Sequence, residues 1–100
     1  MSIVNVNDGN FQSEVMDSSE PVLIDFYAPW CLSSELQSPI VDEIAKSYKV
    51  CRVDIGKSQA LARQYRVKSV PTLIAMRDGT IVGENIGLTA KKDILNMLKK

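Results

Sequence analysis

The sequence predicts an α/β fold in which a mixed β-sheet lies between two helical layers, and three observations carry that prediction. Short β-branched or aromatic stretches alternate with segments whose apolar residues recur at a period near 3.6. Strand–helix–strand alternation implies parallel pairing through right-handed crossovers. Asp78-Gly79, between the last two apolar stretches, marks a hairpin and so adds antiparallel strands, because both positions can adopt positive φ. The composition agrees: hydrophobic residues make 45% and charged residues 24% of 100 residues, enough for one core without disulfide staples. No repeat, linker or charge block interrupts the chain, so a single domain over residues 1–100 is expected.

The expected order is βαβαβα, then a ββ hairpin and a closing helix. Asp8 reads as the N-cap of a short helix marked by Phe11, Val15 and Met16. Val22-Leu23-Ile24-Asp25-Phe26-Tyr27 follows as the second strand, apolar enough to be buried on both faces. A long amphipathic helix comes next. Leu36, Ile40, Val41, Ile44, Ala45 and Tyr48 fall on its apolar face, and Glu35, Gln37, Asp42, Glu43, Lys46 and Ser47 fall elsewhere. Pro39 lies inside this pattern and is expected to kink it. Val50 to Ile55 forms the third strand, and Leu61, Ala62 and Tyr65 mark another helix. The hairpin pairs Thr72–Met76 with Thr80–Val82. Thr89 reads as the cap of a last helix carrying Ile94, Leu95, Met97 and Leu98, and Lys99-Lys100 complements the negative pole of its dipole.

Much chemistry is excluded at this stage. Twelve Lys plus Arg against twelve Asp plus Glu leave no net charge, hence no footprint for nucleic acid or an anionic membrane. The absence of His removes imidazole acid–base chemistry and nearly every zinc ligand set, so no metal site is expected. Two cysteines, Cys31 and Cys51, make no disulfide framework. The longest uncharged stretch, Phe26 to Ser34, falls far short of the ~18 apolar residues of a membrane span. Met1-Ser2-Ile3-Val4-Asn5 lacks a basic start with a long apolar continuation, so no signal peptide is expected and the protein reads as soluble and intracellular.

One thiol stands out. Cys31 follows Trp30 at the end of the second strand, within a few residues of the amphipathic helix. Unpaired backbone N–H groups and the positive end of a helix dipole favour the thiolate, which is the reactive form. A small core hydrophobe is the other fate of such a cysteine, and position alone leaves both open.

Val22-Leu23-Ile24-Asp25-Phe26-Tyr27-Ala28-Pro29-Trp30-Cys31 resembles the strand and active-site start of the thioredoxins. Pro39-Ile40-Val41-Asp42-Glu43-Ile44-Ala45 resembles the helix that follows. Val70-Pro71-Thr72-Leu73 resembles the loop with the cis proline, and Asp78-Gly79 and Gly87 match later turns. The likeness runs in one register over nearly the whole chain. It implies the thioredoxin fold, a central five-stranded mixed sheet flanked by four helices. It also implies cytoplasmic thiol–disulfide exchange by a protein-disulfide reductase, serving electron transport and cell redox homeostasis. Disulfide-bearing proteins would be the substrates and a thioredoxin reductase the electron donor. The protein would be a monomer without a cofactor.

The same likeness implies the site residues. Cys31 would be the nucleophile, and Asp25 the buried acid that assists the resolving thiol by proton transfer. The backbone of Val70, before cis Pro71, would pair with an extended substrate, with Trp30 and Gly87 lining the same groove. Burial inside an apolar strand is expected to raise the Asp25 pKa.

The chain departs from the family where the chemistry is. Thioredoxins carry Cys-Gly-Pro-Cys after the tryptophan, and this chain reads Cys31-Leu32-Ser33-Ser34. Ser34 stands in the place of the resolving cysteine, and a hydroxyl cannot form a disulfide. It can donate a hydrogen bond to the Cys31 thiolate, or serve as an ordinary first-turn serine. Glu35 stands where the family often carries Lys, so its charge is expected to oppose thiolate formation. Cys51 cannot substitute for the missing thiol. It lies near the start of the third strand while Cys31 follows the end of the second, and a disulfide needs Cα atoms within ~7 Å. The expected reaction therefore stops at the mixed disulfide. Two other functions compete: a redox-inert thioredoxin-fold module that binds peptides, and a monothiol glutaredoxin-like protein. The second lacks a Gly-Gly pair after the proline loop.

Overall fold

In the computed structural model, which describes residues 3–100, five strands form one sheet in the order β1-β3-β2-β4-β5. The strands are β1 (Ile3–Val6), β2 (Val22–Tyr27), β3 (Lys49–Asp54), β4 (Thr72–Arg77) and β5 (Thr80–Ile86). The expectation about the start of the chain rests partly on Met1 and Ser2, which lie outside the described residues. Strand β3 pairs in parallel with β1 and β2, whereas β4 is antiparallel to β2 and to β5. Central β2 has neighbours on both edges and helices over both faces. That is why its sequence is nearly continuous in apolar residues. Asp78 and Gly79 close the β4–β5 hairpin with φ of 52° and 75°, the conformation their sequence signals.

Alternation along the strands divides the core into two layers. On one face Val22, Ile24, Phe26, Cys51, Val53 and Ile74 pack beneath a π-helical turn (Gln12–Met16) and α2 (Gln59–Gln64). On the other face Leu23, Val50, Leu73 and Ala75 pack beneath α1 (Leu32–Ile44) and α3 (Lys91–Leu98). Asp25 follows Leu23 by two residues, so the pleat turns it toward the α1 face. These four helical elements around the five strands make the thioredoxin fold. Among the described residues no helix is long and apolar enough to cross a membrane.

Several local expectations are corrected. The segment marked by Phe11, Val15 and Met16 is a π-helical turn, and its N-cap is Phe11 rather than Asp8. The preceding loop is held by Asn7, whose Oδ1 accepts from the amides of Gly9 (2.8 Å) and Asn10 (3.2 Å). Thr89 does not cap the last helix, which starts after Ala90. Helix α1 includes Pro39 and ends at Ile44, so Tyr48, expected on its apolar face, lies beyond it. Its buried face is Ser34, Gln37, Val41 and Ile44. Leu36, expected inside, is 53% exposed, and Gln37, expected outside, is fully buried. Both stripes have helical spacing. Apolarity chose Leu36, whereas a carboxamide can replace a hydrophobe in a core when its hydrogen bonds are met.

Candidate functional site

Strand β2 delivers the chain through Ala28-Pro29-Trp30 to Cys31, which is the N-cap of α1 with extended backbone (φ −103°, ψ 123°). Its carbonyl accepts the first helical bond from Glu35 N at 3.1 Å, and its thiol lies over amides that have no helical partner. Those of Ser34 and then Ser33 are the largest influences on the thiol and hold its pKa below the ordinary cysteine value. The hydroxyls of the same two serines add to the effect. Glu35 is exposed and does not figure among the groups that shift Cys31, contrary to the expectation that its charge opposes the thiolate. Solvent screening explains this, since the carboxylate is free to extend into water.

Cys51 presents the opposite case. It is fully buried on the face away from α1, its Sγ 4.0 Å from Glu14 O, and burial pushes its pKa up to about 11. Both thiols are free. Native-state alkylation at pH 8 is therefore expected to modify Cys31 and spare Cys51 until denaturant is added. Equal labelling of the two, read by mass mapping, would refute this assignment.

Opposite Cys31 lies the turn before β4. The Val70–Pro71 peptide bond is cis, and the Cys31 thiol donates to Val70 O at 3.8 Å. Gly87 reaches the same turn, its N–H donating to Pro71 O at 2.8 Å. Gly87 has φ of +92°, a region that disfavours side chains. The Trp30 indole leans over the turn after β3, so close to Gly56 that a Cβ there would lie 3.1 Å from Trp30 Cη2. It remains 72% exposed, and Leu32, Ile86 and Leu88 are also exposed large apolar residues. A half-buried thiol is thus combined with a backbone turn and apolar side chains that water covers poorly.

Behind Cys31 the site is polar and buried. Ser34 Oγ accepts from Ala28 N at 3.2 Å, which fastens the first turn of α1 to the end of β2. Asp25 is fully buried, and burial raises its pKa from 3.8 to about 6 against the opposing pull of Arg52. Arg52 Nε donates to Asp25 Oδ2 at 3.1 Å, and the guanidinium lies 4.0 Å from the centre of the Tyr27 ring. Among the described residues Asp25 Oδ1 finds no hydrogen-bond partner.

Two residues escaped the sequence reading. Arg52 sits directly beside Asp25 in the β2–β3 register, and the lone charge of β2 with a cation in the middle of β3 was the available signal. Gln37 grips Thr89 with both ends of its carboxamide, Nε2 donating to Thr89 O (2.9 Å) and Oε1 accepting from Thr89 N (2.7 Å). Nothing in the helical pattern marks that pairing across 52 residues.

Comparison with known proteins agrees with this architecture. The family pattern described as Thioredoxin matches residues 2–100. Thioredoxin 1 of Synechococcus elongatus is 41% identical over 99 residues, covering 95% of this chain and 92% of that protein. Thioredoxin of Pyropia yezoensis is 38% identical over 104 residues, covering 100% and 97%. A mutant thioredoxin from Halobacterium salinarum superposes with a TM-score of 0.89 at 31% identity, over 98% of this chain and 88% of that one. With its fold, its half-buried thiol at the head of α1 and this likeness along the whole chain, the protein belongs to the thioredoxin family of thiol–disulfide oxidoreductases, of the protein-disulfide reductase type.

Proposed function

We propose that the protein attacks protein disulfides with Cys31 and stops at the mixed disulfide, because Ser34 replaces the resolving cysteine. The observation that carries this reading is the placement of the Cys31 thiol, its pKa lowered, 3.8 Å from Val70 O. The Cys31 thiolate attacks one sulfur of the substrate disulfide. The S–S bond breaks, its electron pair leaves with the other sulfur as a thiolate, and Cys31 is joined to substrate. In a dithiol relative the neighbouring thiol would repeat the attack on Cys31 and free the substrate. Ser34 offers only a hydroxyl, so release waits for an external thiol.

Val70 presents backbone to an extended substrate, and Pro71, Gly87 and Trp30 line the groove beside it. Leu32, Ile86 and Leu88 extend this groove with apolar surface. Asp25, behind Ser34, is the acid that would serve a resolving thiol by proton transfer, a role left idle by the serine. We further propose that the partners are disulfide-bearing proteins in the cytoplasm and a thioredoxin reductase. The protein acts as a monomer, with residues 1–100 as one domain and no cofactor.

Incubation with an excess of a disulfide-bonded peptide is expected to give a covalent adduct that persists without added thiol, visible in an intact mass. Millimolar dithiothreitol is expected to release it, and Cys31→Ser to abolish it. If no adduct forms, a peptide-binding module without redox activity replaces this reading.

A further inference from the structure

We infer that Gln37 is a positioning residue, whose buried carboxamide sets where the Gly87 turn stands relative to Cys31 and so controls reaction with extended substrates. This rests on the groove reading above. A primary amide carries two donors and an acceptor with two lone pairs, and burying it unbonded is unfavourable. Gln37 is fully buried, and its carboxamide engages both the N–H and the carbonyl of Thr89. Two bonds to one residue's backbone fix orientation as well as distance, as a strand neighbour would.

The grip continues to the site. The Thr89 hydroxyl donates to Gly87 O at 2.8 Å, Gly87 N donates to Pro71 O at 2.8 Å, and the Cys31 thiol donates to Val70 O at 3.8 Å. Cys31 and Gln37 both belong to the α1 segment, so these contacts close a ring around the groove. Packing does little to hold the Gly87 end of that ring. A Cβ at Gly87 would meet nothing within 4 Å, and the flanking Ile86 and Leu88 are 69% and 56% exposed. The turn is held by its hydrogen bonds, and Gln37 anchors them to the helix that carries the thiol. Among the described residues Gln37 makes no hydrogen bond to Cys31, Ser34 or Asp25, so its influence on chemistry runs through the turn.

The test compares two rates of mixed-disulfide formation, one with an extended disulfide-bonded peptide and one with hydroxyethyl disulfide. Gln37→Met keeps length and apolar bulk but removes both bonds. It is expected to lower the peptide rate about tenfold, as sub-ångström misplacement of a bound chain can. The rate with hydroxyethyl disulfide and the pH midpoint of Cys31 alkylation are expected to stay unchanged. Gln37→Glu supplies the rescue. A neutral carboxyl can make both bonds to Thr89, whereas a carboxylate faces the Thr89 carbonyl. The peptide-to-small-disulfide rate ratio is expected to match the parent at about pH 5 and fall below it at pH 8.

An unchanged ratio in both variants at pH 8, or an equal fall of both rates, overturns the proposal. Ile86→Glu separates the two levels of the argument. If Ile86→Glu lowers the ratio while the Gln37 variants do not, the groove stands and positioning by Gln37 fails. If none of them lowers the ratio, the Gly87 turn is not part of the substrate groove at all.

Discussion

Replacing Ser34 with Cys is expected to turn a protein that reacts once with each disulfide into one that turns over, with a rate gain on the order of 10³-fold or more. Residues 31 and 34 lie one helical turn apart at the start of α1. Cα atoms three apart at a helix start lie ~5 Å from one another, inside the Cα range of about 4.4–6.8 Å that a disulfide requires. A thiol at position 34 would attack the mixed disulfide from within the molecule. Well-oriented intramolecular groups reach effective molarities of about 10⁵ M, against external thiols at millimolar levels. The measurement is insulin reduction with limiting protein and a regenerating reductant. The Ser34→Cys form is also expected to show, when oxidised, an intramolecular disulfide between Cys31 and the introduced thiol. Equal turnover by the two forms would mean that another group resolves the adduct, and the stalled-intermediate reading would fall. If buried Asp25 takes the proton of a resolving thiol as proposed, adding Asp25→Asn to that variant is expected to slow release without slowing attack.

Asp25→Asn in the parent is expected to stabilise the protein at alkaline pH and to lose that advantage in acid. The folded carboxyl has its pKa raised from 3.8 to about 6, chiefly by burial. Folded protein therefore holds this proton more tightly than unfolded chain. The contribution to stability is complete below about pH 4 and is lost as pH rises through about 6. At about 1.4 kcal/mol per pH unit, the ionised carboxylate lowers stability by about 3 kcal/mol relative to the acid limit. The stability gap between Asp25→Asn and the parent is thus expected to widen by about that amount from pH 3 to pH 8, or about 12–24 °C in Tm. The raised pKa already includes the opposing pull of Arg52, so losing that ion pair in the variant adds no separate pH dependence. Urea unfolding across this range provides the check. A gap independent of pH would show that Asp25 does not titrate with a raised pKa.

Local pattern in the chain was enough for the fold class, whereas position alone left two fates open for Cys31 and the resemblance pointed to the nucleophile. Strand and helix periods are local properties: β2 is apolar because it is central, Asp78-Gly79 turns because both residues tolerate positive φ, and Cys31 precedes a helix whatever that helix packs against. The helix caps and the buried stripe of α1 were less legible. Asp8 and Thr89 have the right chemistry for caps, but their neighbours made other hydrogen bonds available, as Thr89 does with Gln37 and Gly87. Leu36 and Gln37 exchanged their expected places for a related reason. Polarity predicts exposure only while a side chain's partners are unknown. Beyond the Val70 turn, which the resemblance already placed at Cys31, which distant groups meet is visible only in the folded chain: Arg52 with Asp25 through the β2–β3 register, and Gln37 with Thr89. Each joins residues 27 or more positions apart. Such contacts follow from strand order and helix docking, which depend on the whole core and leave no periodic trace in any one segment.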